Sequence, residues 1–402
     1  MKQLFWLIIL YGVIIVYTLS MTPPQIALEH DAAAYLKAAT ELLDQKGGIV
    51  RSYISGNVQF IDRGYPLILS LLLSLFGTDN MLILQLTNYV FWILATVLVY
   101  LSLKMLNKAK HASILMLFSP LYLTFSAKIY SEPYASLGTA LIIYAITTLY
   151  TNPKFTGKLA LFIGSIILFS TKSVFLPFTF FLILLCFYKK NYSYTFYAIL
   201  ALVFLIPSIV GSAGGGRSLY NLSIQASKLD HSAKEILACT PYYLSYPLGK
   251  LFLPSYQGLC HQNNPSEDMP GYAKNPYLLA NNRRETGFTY IDWLSMVISN
   301  PLNYILVMLV SLSNIVFIEG VYPSILTQLP LPVMVIAFII AKILLSIFLW
   351  IKTLSVGRKN FLLLTPILYF VLVVTHFPIE PRYFYPLIPY LYFLIGIEDN
   401  RN

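Results

Sequence analysis

Apolar runs close to the length of a bilayer-spanning helix recur along this chain, and they constrain its fold more than any other feature. A helix rising about 1.5 Å per residue needs about 20 predominantly apolar residues to cross a hydrocarbon core of about 30 Å. Such runs occupy residues 4–20, 81–103, 112–130, 133–150, 192–211, 333–351 and 361–377, with a last one over 383–397. The stretch 159–188 is too long for one ordinary span and is broken by Thr171, Lys172 and Ser173, which predicts two shorter helices meeting at Lys172. Composition agrees, since 57% of the 402 residues are hydrophobic, 15% are aromatic and only 11% are charged, whereas soluble domains carry about a quarter charged residues. A soluble globular enzyme and a disordered chain are both excluded. The expected fold class is an all-α polytopic membrane protein.

The net charge of +10 comes from 27 Lys and Arg against 17 Asp and Glu, and in a membrane protein such an excess reports loop orientation rather than a nucleic-acid partner. Lys2 precedes the first apolar run, and Met21-Thr22-Pro23-Pro24 makes a poor cleavage site, so the run reads as a retained first span. With Lys2 inside, Lys104, Lys108 and Lys110, then Lys154 and Lys158, then Lys189 and Lys190 all fall in cytoplasmic loops. Lys352, Arg358 and Lys359 stay inside if 301–318 does not cross, which predicts an interfacial or re-entrant helix there. The count is then about ten crossings, or about eleven if that segment does cross. Of the acidic residues only Glu398 and Asp399 face the cytoplasm, so the chemistry is expected outside. Two outward loops are large enough to hold it, 21–64 and 212–300, which divides the chain into a membrane module over 1–211, a loop domain over 212–300 and a second membrane module over 301–402. No internal repeat is evident.

The first outward loop carries Glu29-His30-Asp31, followed by helix formers from Ala32 to Asp44 and a stop at Gly47-Gly48. Asp31 therefore starts a membrane-surface helix, either as its cap or as a general base just outside the bilayer. The loop closes with Arg63-Gly64-Tyr65-Pro66-Leu67, and the apolar stretch to Gly77 is too short to span, so it lies along the interface with Arg63 near phosphates or simply snorkelling. Ser131-Glu132-Pro133 forms an outward hairpin with Lys128 one turn earlier, and Glu132 is either a solvated turn residue or part of a site. Lys172 interrupts a strongly apolar segment, as lysines that meet a carboxylate or an anionic ligand do. His376-Phe377-Pro378-Ile379-Glu380-Pro381-Arg382-Tyr383 forms a last outward hairpin, in which Arg382 offers a planar fork suited to phosphate or pairs with Glu380 at the surface.

Together these stretches resemble the GT-C glycosyltransferases. They are Asp31-x-x-x-Tyr35-x-x-x-Ala39 after the first span, Arg63-Gly64-Tyr65-Pro66-Leu67, Ser131-Glu132-Pro133, Thr171-Lys172 between short helices, and the terminal Glu380-Pro381-Arg382-Tyr383. More narrowly the chain resembles the branch containing dolichyl-phosphate-mannose protein mannosyltransferases and the bacterial aminoarabinose transferases of lipid A. The resemblance covers 1–211 and the C-terminal end. It implies an integral membrane enzyme, in a bacterial inner or plasma membrane, that moves a sugar from a polyprenyl-phosphate donor to a hydroxyl acceptor on the extracytoplasmic face with inversion. It implies Asp31 as base, with Glu132, Lys172 and Arg382 lining the site; Asp31 and Glu132 are then the expected catalytic residues, and Lys172, Arg382, Arg63 and Lys128 the expected donor-phosphate ligands. His30, Tyr35, Lys37, His376 and Glu380 are accessory candidates. Many protein mannosyltransferases have Asp-Glu where this chain has Asp31-Ala32, so the acceptor stays open among glycan, lipid and protein. The 212–300 loop matches no branch.

The chemistry fits the residues independently of any family. A phosphate leaving group is already acidic, so one base and several cations suffice and no cofactor is required. Asp31, His30 and Glu132 are the residues that would hold a divalent ion if one were used. Two rivals stand beside this reading: a transporter or flippase of lipid-linked sugars, and a non-catalytic assembly subunit. Cys239 and Cys260 are expected to form a bridge in the second outward loop, Cys186 to be a buried small hydrophobe, and Tyr242, Tyr243, Tyr246 and Tyr256 to form an interfacial belt.

Overall fold

The computed structural model describes residues 2–20, 22, 31–44, 64–77, 80–108, 111–119, 126–171, 175, 177–213, 290–316, 344, 347–348, 350–355, 366–367 and 385–398. Among these the chain is helical and contains no strand. The helices are α1 (Lys2–Ser20), α2 (Asp31–Asp44), α3 (Gly64–Phe76), α4 (Met81–Met105), α5 (His111–Leu117), α6 (Glu132–Thr151), α7 (Phe155–Thr171), α8 (Pro177–Tyr188), α9 (Tyr192–Ala213), α10 (Tyr290–Ser299), α11 (Pro301–Val316) and α12 (Ile388–Glu398). Two of them, α4 and α6, are long and apolar enough to cross a membrane. At 13 residues α3 reaches only about 20 Å, as the short apolar stretch before Gly77 predicts.

The centre of the bundle is the antiparallel pair α6 and α7, closed by glycine. A Cβ added at Gly138 would lie 2.7 Å from the Leu168 backbone nitrogen, and one at Gly164 would lie 2.8 Å from the Gly138 carbonyl oxygen. The two backbones therefore touch, which lets many weak dispersion contacts accumulate along the seam. Pro133 starts α6 with a φ already suited to a helix, and Glu132 in its first turn complements the positive end of the helix dipole. Beyond Thr151 the chain turns extended at Asn152, just before Pro153, and reverses into α7. Helix α4 packs along α6, α9 packs on α7, α2 lies on α3, and α12 closes the group against α5, α4 and α6. Trp92, Val99, Ala140, Leu161, Ile388 and Leu394 are among the side chains of the shared core.

Polarity is inverted relative to a water-soluble bundle. Along α4 the exposed positions are Leu82, Leu86, Val90, Leu94, Val97 and Leu101, whereas Gln85, Asn88, Thr96 and Ser102 are buried. A spacing of three and four residues places that apolar stripe on one helix face over about 28 Å. Helices α8 and α9 do the same with Phe180, Leu184 and Phe187 and with Phe196, Ile199 and Val203.

The ends of the helices sort by charge. Tyr194 at the start of α9 donates a hydrogen bond to the Lys154 carbonyl (3.3 Å), and the Lys189 ammonium sits 4.2 Å above the Tyr150 ring. Lys154, Lys158, Lys189 and Lys190 thus share one end of the bundle, to which α4 also delivers Lys104. Glu132 and the start of α2 lie at the other.

Two details refine the sequence reading. The run 159–188 divides into α7, which ends at Thr171, and α8, which begins at Pro177. The run 112–130, expected as one helix, is not one: α5 ends at Leu117 shortly before Pro120, and residues 127–130 form a turn. Proline lacks the amide proton the ladder needs and disfavours a helical residue before it. Helices α10 and α11 meet at Asn300 and Pro301, pack through Met296, Val297, Tyr304 and Leu306, and leave Ile298, Leu302, Ile305 and Leu309 exposed. Cys186 is buried with a free thiol, while Cys239, Cys260 and the tyrosines 242, 243, 246 and 256 lie outside the described residues.

Candidate functional site

The turn before α6 is where backbone has left the helix inside the bundle, and its burial makes every polar group there an accounting problem. Ser126, Lys128, Tyr130 and Ser131 are fully buried and Glu132 is 1% exposed. A buried carbonyl without an intrahelical partner costs free energy unless a side chain reaches it. Two amides one turn apart on α4 do so. The Gln85 Nε2 donates to the carbonyls of Thr22 (3.1 Å) and Ala127 (2.6 Å), and the Asn88 Nδ2 donates to those of Lys128 (2.7 Å) and Tyr130 (3.3 Å).

Helices α2 and α3 close over this turn. Tyr65, the second residue of α3, donates its hydroxyl to Asn88 Oδ1 at 3.1 Å and meets the Tyr35 ring edge-on at 5.3 Å. Tyr35 in turn places its hydroxyl 3.3 Å from Ser131 Oγ. Burial above all holds the Tyr65 phenol above the ordinary tyrosine range, the Asn88 hydrogen bond opposes this, and the Glu132 charge reinforces it. Tyr65 therefore stays a neutral donor. At the start of α6, Ser136 Oγ donates to the carbonyls of Glu132 (2.8 Å) and Tyr385 (3.3 Å), which brings the C-terminal segment to the same place.

The structure places some of the sequence candidates relative to this turn and leaves others outside the described residues. Glu132 is buried rather than solvated, which removes the reading of an exposed hairpin. Lys128 is fully buried, its ammonium 5.8 Å from the Tyr130 ring centroid. Burying either charge is costly outside a polar setting, and such residues mark sites in apolar surroundings. Asp31 is the first residue of α2, one turn before Tyr35, and the structure describes it by its backbone. Arg63, Lys172, Arg382, His30, His376 and Glu380 lie outside the described residues. Their chain neighbours do not: Gly64 abuts Ser170 so closely that a Cβ would strike the serine side chain, which brings the end of α7 before Lys172 and the start of α3 after Arg63 together. Tyr385, three residues after Arg382, is the one that meets Ser136.

Lys37 is the exception. Its side chain is 79% exposed and stands 4.0 Å from Glu41 one turn on, a surface pair of the kind worth about 0 to 1 kcal/mol. Among the described residues no three His, Cys, Asp or Glu side chains gather as a metal site would require. Sequence reasoning passed over Gln85 and Asn88, although two carboxamides three residues apart in an apolar run were the available signal. It also passed over Ser131 and Ser136 as partners, since nothing local predicts contacts across the bundle.

The cluster sets a carboxylate and an ammonium in a buried, hydrogen-bonded turn, close to a surface helix that begins with a second carboxylate. Such a set can hold an anion and take a proton. The chain matches no protein-family model, no curated protein and no solved structure.

Proposed function

We propose that this chain is an integral membrane glycosyltransferase, similar in plan to the GT-C enzymes, that transfers a sugar from a polyprenyl-phosphate carrier to a hydroxyl of a glycan, lipid or protein on the extracytoplasmic face of a bacterial inner or plasma membrane. The observation that carries the reading is the buried turn with Lys128 and Glu132, tied through Tyr35 to the helix that begins at Asp31. Apolar stripes on α4, α8 and α9 and the gathering of lysines at the opposite end support a membrane setting with the site facing outward. The remaining membrane segments, about ten crossings in all, belong to the same proposal.

In this reading the acceptor hydroxyl attacks the anomeric carbon from the face opposite the phosphate. Asp31 takes its proton, the bond from the anomeric carbon to the phosphate oxygen breaks, and the electron pair leaves on the phosphate. Lys128, joined by Arg63, Lys172 and Arg382, neutralises that charge, while Glu132 orients the sugar or acceptor. The leaving phosphate needs no proton, so no metal is invoked.

The test is mass spectrometry of transfer by purified protein from a panel of polyprenyl-phosphate sugars, comparing wild type with Asp31→Asn. Asn starts a helix about as well as Asp but takes no proton, so the variant is expected to fold and to lose about 1,000-fold of its transfer. Equal transfer by both would remove Asp31 as base. Movement of labelled donor across vesicles without transfer would favour a flippase.

A further inference from the structure

We propose that Asn88 is a positioning residue for this site, one side chain that ties the turn bearing Lys128 and Glu132 to both helices of the first outward loop. The inference rests on the proposed reading of that turn as the place where the donor binds.

Asn88 is buried in α4, with both its amide nitrogen and its carbonyl oxygen engaged in hydrogen bonds. Its amide nitrogen bridges the Lys128 and Tyr130 carbonyls, at 2.7 and 3.3 Å, and its oxygen receives the Tyr65 hydroxyl at 3.1 Å. The carbonyls on one side and the phenol on the other fix which end of the amide faces which, because a carbonyl accepts and the neutral phenol donates. From Tyr65 the path runs through the ring contact to Tyr35 (5.3 Å) and from the Tyr35 hydroxyl to Ser131 (3.3 Å), back into the turn it left. The result is a closed ring through α4, the 126–131 turn, α2 and α3.

Only a carboxamide of this length closes it. Aspartate has no donors for the two carbonyls, leucine has neither donor nor acceptor, and glutamine is one methylene too long for a filled site. Gln85, one turn earlier, ties the Ala127 carbonyl of the turn to the Thr22 carbonyl that follows α1, and these two bonds reach neither α2 nor α3, so it is an anchor outside the ring. Tyr35 lies one turn from Asp31, so the ring sets the helix start against Glu132. A displacement of about 1 Å in such an arrangement costs about 100-fold in rate.

The experiment uses the full chain in lipid nanodiscs, as wild type, Asn88→Asp and Tyr65→Phe, and reads both amide hydrogen exchange and sugar transfer from a polyprenyl-phosphate sugar panel. Tyr65→Phe keeps the ring contacts to Tyr35 (5.3 Å) and Tyr134 (6.1 Å) and removes one hydrogen bond, so it answers the question even if Asn88→Asp does not fold. Expected for Asn88→Asp is exchange about tenfold faster in 126–131 and in 32–40, with the α6–α7 seam unchanged. Its kcat per folded molecule falls about 100-fold while the donor KM moves by less than about threefold. Tyr65→Phe, which loses one hydrogen bond, shifts the same quantities in the same direction by less, about threefold in exchange and about tenfold in kcat. Unchanged exchange in both segments overturns the proposal, and so does faster exchange with unchanged kcat, since a merely structural residue would show that. Faster exchange in the variants with no transfer by wild type from any donor leaves the ring standing and fails the glycosyltransferase reading instead.

Discussion

Helix α6 contains two regions held by opposite means. Its middle is locked to α7 by the absence of side chains: Gly138 and Gly164 let backbone meet backbone, and shape alone keeps the seam. Its beginning is held by hydrogen bonds to other parts of the chain, with Asn88 and Tyr35 reaching the turn and the helix's own Ser136 reaching the Tyr385 carbonyl. A seam made of dispersion contacts tolerates no added atom but carries no chemistry. A turn made of hydrogen bonds keeps carbonyls, a carboxylate and an ammonium at chosen places in apolar surroundings, at the cost of needing each donor supplied. The difference separates a seam that only stabilises the bundle from a turn that gathers its buried polar groups.

The largest expected effect falls on chemistry alone. Asp31→Asn should lower transfer by about 1,000-fold while its thermal midpoint in detergent stays that of wild type, measured by product mass spectrometry and by melting. The opposite signature is expected of the seam: Gly138→Ala should cost about 1 to 3 kcal/mol in denaturant unfolding, because the new methyl meets backbone that has nowhere to move, yet leave kcat per folded molecule unchanged. A substitution at the seam that lowered kcat without loss of stability would erase the contrast between the two regions. Ser136→Ala removes one buried donor serving two carbonyls and should cost about 1 kcal/mol, read as a lower melting temperature. Lys37→Ala, which touches only Glu41 at the surface, should change neither stability by more than about 0.5 kcal/mol nor transfer. Independently of these, a cysteine at Ser355 should be labelled by an impermeant maleimide from the cytoplasmic side only. Labelling from outside would mean that 301–318 crosses and would place the Arg382 hairpin on the face opposite Asp31.

The residues themselves determined a great deal. Apolar runs, prolines and lysines marked where α1, α4, α6 and α9 lie, that 159–188 must break near Lys172, and that a helix starts at Asp31, because these depend on short-range periodicity and on local donors and acceptors. Lysine spacing also sorted the helix ends by charge before any packing was known. The early end of α5 was legible in Pro120, whereas local reasoning was bound to miss the burial of Glu132, since a hairpin motif does not show which distant side chains will cover it. Gln85 and Asn88 became meaningful only once α4 lay beside the turn they hold, more than thirty residues away in the chain. Lys37 and Tyr35 sit two residues apart with equal standing in the sequence, and only the docking of α2 on α3 decided that one faces water and the other the turn. The physical reason is common to these cases. Periodicity is written within a few residues, whereas the satisfaction of a buried polar group depends on which distant element the fold brings within about 3 Å of it.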